Sequence, residues 1–203
     1  QNWYMEDLDG QLFCGNNKGT LQIQNKEASF FPGAESGGTA IRKCTIHGKE
    51  ILLQSSYSVL SVFTKDVAGK WRFSHNIKGF SNLIKRLEVD PAGNIWATHM
   101  YKGVYRIQLN ATLDSVKELE YITNPDSTRK ESALNVMMLR GRVVITDGYQ
   151  FYMYEDLSQK VVPFNELNNQ FKGMGDTYRI VPVNNDLYWF IRSSEYVLVG
   201  FEN

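Results

Sequence analysis

The sequence has few cysteines and no long apolar run, and each scarcity excludes a class of protein. Its two cysteines, Cys14 and Cys44, are too few for a disulfide framework and too far apart for a zinc knuckle. We expect both to be small buried apolar residues, although a bridge between them stays open if the compartment is oxidising. No stretch approaches the roughly 18 uninterrupted apolar residues that a spanning helix needs. We therefore expect no membrane contact by this segment.

The sequence also lacks an excess of charge of either sign. It has 22 basic and 22 acidic side chains, and its isoelectric point is about 7.0. Proteins that hold polyanionic nucleic acid do so largely through a field of positive charge, which a balanced chain does not provide. We therefore expect no nucleic-acid partner.

Histidines and catalytic motifs are scarce as well. The three histidines, His47, His75 and His99, include no pair with the i, i+2 or i, i+4 spacing of a metal site. The sequence contains no Walker loop, no Gly-x-Ser-x-Gly elbow and no Gly-x-Gly-x-x-Gly motif. We therefore expect no metal and no cofactor, and we predict that the chain is not an enzyme.

An internal repeat is the main positive signal in the sequence. Residues 90–107, DPAGNIWATHMYKGVYRI, place an Asp and a Gly before an apolar run, followed by a polar loop, a Gly and a second apolar run. The same order occurs in DLDGQLFCGNNKGTLQI at 7–23, and weaker copies lie at 47–63, 140–155 and 184–201. The copies recur roughly every 40 to 50 residues, which is the period of a four-stranded propeller blade.

The pattern within each repeat predicts the order of its strands. An extended segment such as AIRKCTI or LIKRLEV precedes each hairpin and forms the inner strand, and a more polar segment such as VKELEYI follows and forms the outer strand. Apolar runs such as EILL and RVVIT are nearly continuous, as expected for sheets that are covered on both faces by neighbouring blades. Helical periodicity is weak, and Pro163 interrupts the one candidate segment, so we expect very little helix.

The prediction is therefore an all-β chain that forms a β-propeller of four-stranded antiparallel blades. Residues 1–203 hold about four and a half to five repeats and form one propeller domain or a segment of a larger propeller. The repeats have the approximate ranges 1–37, 38–78, 79–130, 131–173 and 174–203.

Several residues of the repeat are expected to be structural. Asp and Gly open the tight turns, Trp96 fills the space between blades, and the Gly before the third strand gives the backbone freedom or allows a close approach. This structural set comprises Gly10, Gly19, Asp90, Gly93, Asn94, Trp96 and Gly103.

The best repeat resembles a known family, the two-component regulator propeller repeat. The resemblance rests on Asp90, Gly93, Asn94, Ile95, Trp96, Thr98, Gly103, Val104, Tyr105 and Arg106, with a looser copy at Asp7, Asp9, Gly10, Leu12, Phe13, Gly15, Gly19 and Leu21. It implies a periplasmic or otherwise extracytoplasmic sensor region of a bacterial regulator, often a hybrid histidine kinase whose ligand is a glycan fragment. It also implies that the partners include the remaining propeller and signalling domains of a parent protein.

The loops between the second and third strands are the predicted binding surface. Tyrosines recur at equivalent positions in four of the five loops, and rings and polar groups around a propeller mouth suit an oligosaccharide ligand. The candidate ligand-binding residues are Lys18, Tyr57, His99, Tyr101, Asp147, Tyr149, Arg192 and Glu195, and Tyr196 supplies the fourth tyrosine. Packing between blades is an alternative role for each tyrosine.

Three functions remain open at the level of sequence. The first is a non-catalytic module that senses an oligosaccharide. The second is a propeller used for protein contact or for homodimerisation, because the unpaired edge of an incomplete last blade invites pairing. The third is a glycan hydrolase or lyase that uses mouth carboxylates drawn from Asp147, Asp176 and Glu195.

Overall fold

The computed structural model describes residues 1–123, 125 and 133–202, which form five antiparallel sheets and one short helix. The first sheet contains β1 (Asn2–Leu8), β2 (Gln11–Asn16), β3 (Gly19–Gln24) and β4 (Glu27–Phe30). The second contains β5 (Ala40–Ile46), β6 (Lys49–Ser55), β7 (Leu60–Lys65) and β8 (Trp71–Asn76). The third contains β9 (Ile84–Val89), β10 (Ile95–His99), β11 (Val104–Leu109) and β12 (Val116–Ile122).

The last two sheets have the same order of strands. The fourth contains β13 (Asn135–Leu139), β14 (Arg142–Thr146), β15 (Phe151–Glu155) and β16 (Lys160–Pro163). The helix α1 (Asn165–Gln170) follows Pro163, and the fifth sheet contains β17 (Arg179–Pro182), β18 (Leu187–Ile191) and β19 (Tyr196–Gly200). Each strand pairs with the next one along the chain, so every sheet is a simple meander.

The five sheets are the blades of a β-propeller, which confirms the predicted fold class. The first strand of each sheet, β1, β5, β9, β13 or β17, is the inner strand, and residues of all five inner strands line one central cavity. Four blades have four strands, and the fifth has three among the residues that the structure describes. The single six-residue helix agrees with the expectation of very little helix.

The continuous apolar runs pack into four hydrophobic clusters, each between two successive blades. Phe13, Ile41 and Phe63 belong to the cluster between the first and second blades. Trp96 is almost fully buried and packs against Val136 and Tyr152 across the boundary between the third and fourth blades. Burial of such side chains is worth roughly 1.5 to 3 kcal/mol each, so these clusters are the main cohesive force of the fold.

Both cysteines have free thiols, and no disulfide joins them. Cys14 is buried, whereas Cys44 is half-buried and packs against the cluster between the second and third blades. Desolvation by burial raises the pKa of the Cys44 thiol to about 12. Cys14 is therefore a small buried apolar group, as expected from the sequence, whereas Cys44 is less buried than expected.

Helix α1 is far shorter than a bilayer is thick, so no helix among the described residues could cross a membrane.

Candidate functional site

One carboxylate organises the turn of the third repeat. Asp90 accepts hydrogen bonds from the backbone N–H of Asn94 at 2.8 Å, from the Asn94 side-chain amide at 2.8 Å and from the Trp96 indole N–H at 2.9 Å. Asn94 and Trp96 are both buried. These contacts fix the turn and the orientation of the indole, so the geometry of Asp90, Asn94 and Trp96 is that of a structural motif.

The motif glycines act in two different ways. Gly93 and Gly103 have φ angles of 85° and 79°, and Gly10 likewise has a positive φ, so these positions use the left-handed backbone region that other residues avoid. Gly19 does not, but a Cβ there would lie 2.5 Å from the carbonyl oxygen of Ala34. Backbone freedom and close approach therefore both occur at the repeat glycines.

The predicted loop tyrosines are placed differently from one another. Tyr101 and Tyr149 are about equally exposed, at 71% each. Tyr57 is half-buried, and its hydroxyl donates a hydrogen bond to the Asn17 side-chain oxygen at 3.0 Å. The fourth tyrosine, Tyr196, is 73% exposed and lines the mouth of the channel. The structure therefore brings only Tyr196 of these four to the channel mouth.

The predicted charged and imidazole residues of the loops hold local structure. Asp147 is buried and accepts hydrogen bonds from the backbone N–H groups of Tyr149 and Gln150 and from the Tyr152 hydroxyl. His99 is half-buried, and its Nδ1 accepts two long contacts of 3.4 Å from the turn that follows it. Lys18 is exposed.

Arg192 forms contacts with three other loop residues. Its Nε donates to Asp176 at 2.6 Å, and its other nitrogens donate to Glu195 and to the Gly173 carbonyl. The hydrogen bond to Asp176 is the largest cause that raises the pKa of Arg192. Asp176 and Glu195 are therefore already paired with a cation.

Sequence reasoning missed the residues that line the mouth of the central channel. A cavity of about 230 Å³ lies at the entrance, where the inner strands begin, and the side chains of Trp3, Tyr178 and Tyr196 belong to its wall. Trp3 and Tyr178 belong to the first and last blades, so only the ring arrangement brings them together. The aromatic character of Trp3 and Tyr178 was the signal that the sequence offered, but the repeat pattern does not predict that the two residues lie in one cavity wall.

Charged residues of the inner strands occupy the middle of the channel. Glu6, Arg42, Arg86 and Arg179 line both the mouth cavity and a second cavity of about 400 Å³ at the opposite end, which Glu88 also lines. Charged side chains within the inner strands, as in AIRKCTI and LIKRLEV, were the sequence signal for this set.

Arg42 is the best-paired group in the channel. It donates two hydrogen bonds to Glu88, at 3.1 and 2.9 Å, and one to Glu6 at 3.1 Å. Burial lowers the pKa of this guanidinium, but Glu88 and then Glu6 outweigh that effect and hold the pKa above its ordinary value. Arg179 lies 3.7 Å from the same Glu6 oxygen. These ion pairs join the inner strands of the first, second, third and fifth blades.

In the part of the chain that the structure describes, no group of three or more His, Cys, Asp or Glu side chains is placed to hold a metal ion. The channel presents aromatic faces, guanidinium groups and carboxylates to its interior.

Comparison with known proteins identifies the fold class. Solved structures with a similar fold include virginiamycin B lyase from Staphylococcus aureus, with a TM-score of 0.58, 13% identity, and coverage of 100% of this chain and 70% of that chain. Another is PorZ, a surface component of the type-IX secretion system of Porphyromonas gingivalis, with a TM-score of 0.56, 11% identity, and coverage of 100% and 26%. A third is the extracellular domain of the one component system BT4673 from B. thetaiotaomicron, with a TM-score of 0.56, 11% identity, and coverage of 95% and 26%.

These likenesses show the propeller fold alone, because the identities are low. No family model matches the chain, and no curated protein matches it. The chain spans only 26% of the length of the two larger structures. The resemblance to the two-component regulator propeller repeat therefore remains an expectation from sequence.

Proposed function

We propose that this chain is a ligand-binding propeller module of an extracytoplasmic bacterial sensor, and that it binds an oligosaccharide at the channel mouth without turnover. The observation that carries the proposal is the mouth cavity, where Trp3, Tyr178 and Tyr196 form aromatic walls above charged groups. Sugar rings stack their C–H faces on aromatic side chains while polar groups bind the hydroxyls. The similar fold of the BT4673 extracellular domain supports the sensor assignment.

The loop carboxylates favour binding without turnover. A retaining or inverting glycosidase needs two carboxyl groups that flank a reacting bond. Asp176 and Glu195 are instead bound to Arg192, and Asp147 is buried with both oxygens engaged. The candidate catalytic carboxylates of the sequence are therefore committed to local structure, which supports binding rather than hydrolysis or elimination.

A screen of the purified chain against a library of plant, host and microbial oligosaccharides tests the proposal. Thermal shifts identify ligands, calorimetry measures their affinity, and product analysis follows each hit. We expect at least one ligand and no product. A detected product, or a well-folded sample that no saccharide stabilises, would contradict the proposal.

Two tyrosines of matched exposure locate the site. Tyr196→Ala removes an aromatic wall of the mouth, whereas Tyr101→Ala removes an equally exposed ring that does not line it. Loss of a stacked ring costs about 1 kcal/mol, so Tyr196→Ala should weaken binding about fivefold while Tyr101→Ala leaves it unchanged. Equal losses in the two variants would move the site from the mouth to the outer loops.

A further inference from the structure

Arg86, on β9, is the one channel arginine for which the described residues provide no hydrogen bond and no ion pair. Arg42 has Glu88 and Glu6, and Arg179 has Glu6. The Nε of Arg86 is buried without a hydrogen-bond partner, and its guanidinium carbon lies 5.8 Å from the centre of the Tyr178 ring. The two carboxylates Glu6 and Glu88 are thus in direct contact with Arg42 and Arg179, and neither forms an ion pair with Arg86.

An unpaired charge in this position is unfavourable for the fold itself. Burial is the largest cause that lowers the pKa of Arg86, and the positive charges of Arg179 and Arg42 lower it further, against a weaker opposing effect of Glu88. Arg86 is half-buried, and a guanidinium that is partly removed from water without a carboxylate partner is less stable than a paired one. The arrangement therefore gains stability when a negative group enters the channel beside Arg86.

The position of Arg86 determines what can reach it. Arg86 lines both the mouth cavity and the deeper cavity, so a ligand held against the aromatic walls can extend an acidic group to it. Arg179 lines the same two cavities, and it lies 3.7 Å from a Glu6 oxygen that also accepts a hydrogen bond from Arg42. Guanidinium forks bind the paired oxygens of carboxylate, sulfate and phosphate groups in a bidentate manner.

We propose that Arg86 and Arg179 form an anion subsite in the channel, which takes a carboxylate, sulfate or phosphate group of a ligand entering from the mouth. The identity of that ligand as an acidic saccharide rests on the proposed function, whereas the subsite itself does not. Glu6 and Glu88 hold Arg42 in place, and this pairing leaves Arg86 as the group that the anion contacts.

The first test uses simple anions as probes. Sodium sulfate, phosphate and acetate are compared with chloride at constant ionic strength, and the melting temperature is followed as each anion is titrated. Arg86→Gln is compared with Arg72→Gln, an exposed arginine of the outer strand β8. Arg72→Gln is the control for the general stabilisation that sulfate and phosphate give to folded proteins.

The wild type and Arg72→Gln should show a saturable rise in melting temperature with at least one oxyanion, and Arg86→Gln should show only the general effect. Arg86→Lys, which keeps the charge without the fork, should retain a part of the response. Equal responses of the wild type and Arg86→Gln to every anion would overturn the subsite. Without any anion, Arg86→Gln should melt no lower than the wild type, since it removes an unpaired charge; a marked drop would assign Arg86 a structural role instead.

The second test separates the subsite from the proposed function. Binding of oligogalacturonate is compared with that of its methyl ester, and binding of a sulfated oligosaccharide with that of its desulfated form. At least one acidic form should bind about tenfold more tightly than its neutral partner, and Arg86→Gln should lose this preference. Equal affinity of acidic and neutral forms for both proteins overturns the subsite and leaves the saccharide module intact. A response to simple anions without binding of any saccharide supports the subsite and contradicts the module.

Discussion

Replacing Asp90 with Ala tests how strongly one turn carboxylate holds the third blade. The change removes the acceptor of three hydrogen bonds, from the backbone and side chain of Asn94 and from the indole of Trp96. Trp96 is 1% exposed and Asn94 is 8% exposed, so water cannot replace the lost acceptor at the indole without a change in packing. A buried donor left unsatisfied costs about 1 to 3 kcal/mol, which gives a total loss of about 3 to 5 kcal/mol for Asp90→Ala.

That loss is a large part of the 5 to 15 kcal/mol by which a typical domain is stable, so it is easily measured. The assay is equilibrium unfolding in urea, followed by circular dichroism, with the free energy of unfolding obtained by linear extrapolation. Asp90→Asn keeps the side-chain shape and one acceptor oxygen, and it should lose less than Asp90→Ala.

Asp66→Ala is the matched control. Asp66 also accepts three hydrogen bonds, from the N–H groups of Ala68 and Lys70 and from the guanidinium of Arg72, but all of these contacts are exposed. Water can satisfy those donors after the substitution, so the loss should be far smaller. If Asp90→Ala is no more destabilising than Asp66→Ala, the argument from buried donors is wrong.

Two further predictions concern the backbone and the surface charges. Gly93 has a φ of 85°, so Gly93→Ala should lower the free energy of unfolding in urea by about 1 to 2 kcal/mol. Gly200 lies outside the left-handed region, so Gly200→Ala should lower it little. Equal effects of the two substitutions would refute the conformational argument. Hydrogen bonds from Lys43 and Lys65 lower the pKa of Asp9, and hydrogen bonds from Lys65 and Lys43 lower the pKa of Glu50. The ionised carboxylates therefore stabilise the fold at pH values above their unfolded pKa values, which are near 4. This stabilisation is lost as the pH falls through the lowered pKa values of the folded state. The urea midpoint should therefore fall on acidification below about pH 4, and less so in the Lys43→Met/Lys65→Met variant; the same acid dependence in both proteins would contradict the assignment.

The blades were predictable from the sequence because their causes are local. Turn chemistry around Asp90 and Gly93, and the apolar runs on either side, are properties of short segments, and each segment forms the strand that its pattern indicates. The wedge role of Trp96 follows from its size and its place in the repeat. Such features depend little on how the blades are arranged around the axis.

The channel was not predictable in the same way because its causes are not local. Arg42, Arg86 and Arg179 come from three inner strands that are separated by long stretches of sequence, and the ring geometry decides which of them share a carboxylate. The loop residues of the predicted ligand site were chosen from equivalent positions in the repeat, and their role in binding stays a prediction. Equivalent positions in the repeat gave Tyr57, Tyr101, Tyr149 and Tyr196, but neighbouring loops differ, and only Tyr196 reaches the mouth cavity.

The joint between the last and first blades differs from the other four joints of the ring. Each hydrophobic cluster among the described residues lies between two successive blades, and none lies between the fifth blade and the first. Met5 of the first blade and Trp189 and Leu198 of the fifth blade lie outside these clusters and are exposed. The outer edge of β19 is also unpaired among the described residues. Across this joint the inner strands are linked by the contact between Arg179 and Glu6, at 3.7 Å. The first and last blades are therefore held together here by charge in the channel, whereas each of the other four joints has an apolar cluster.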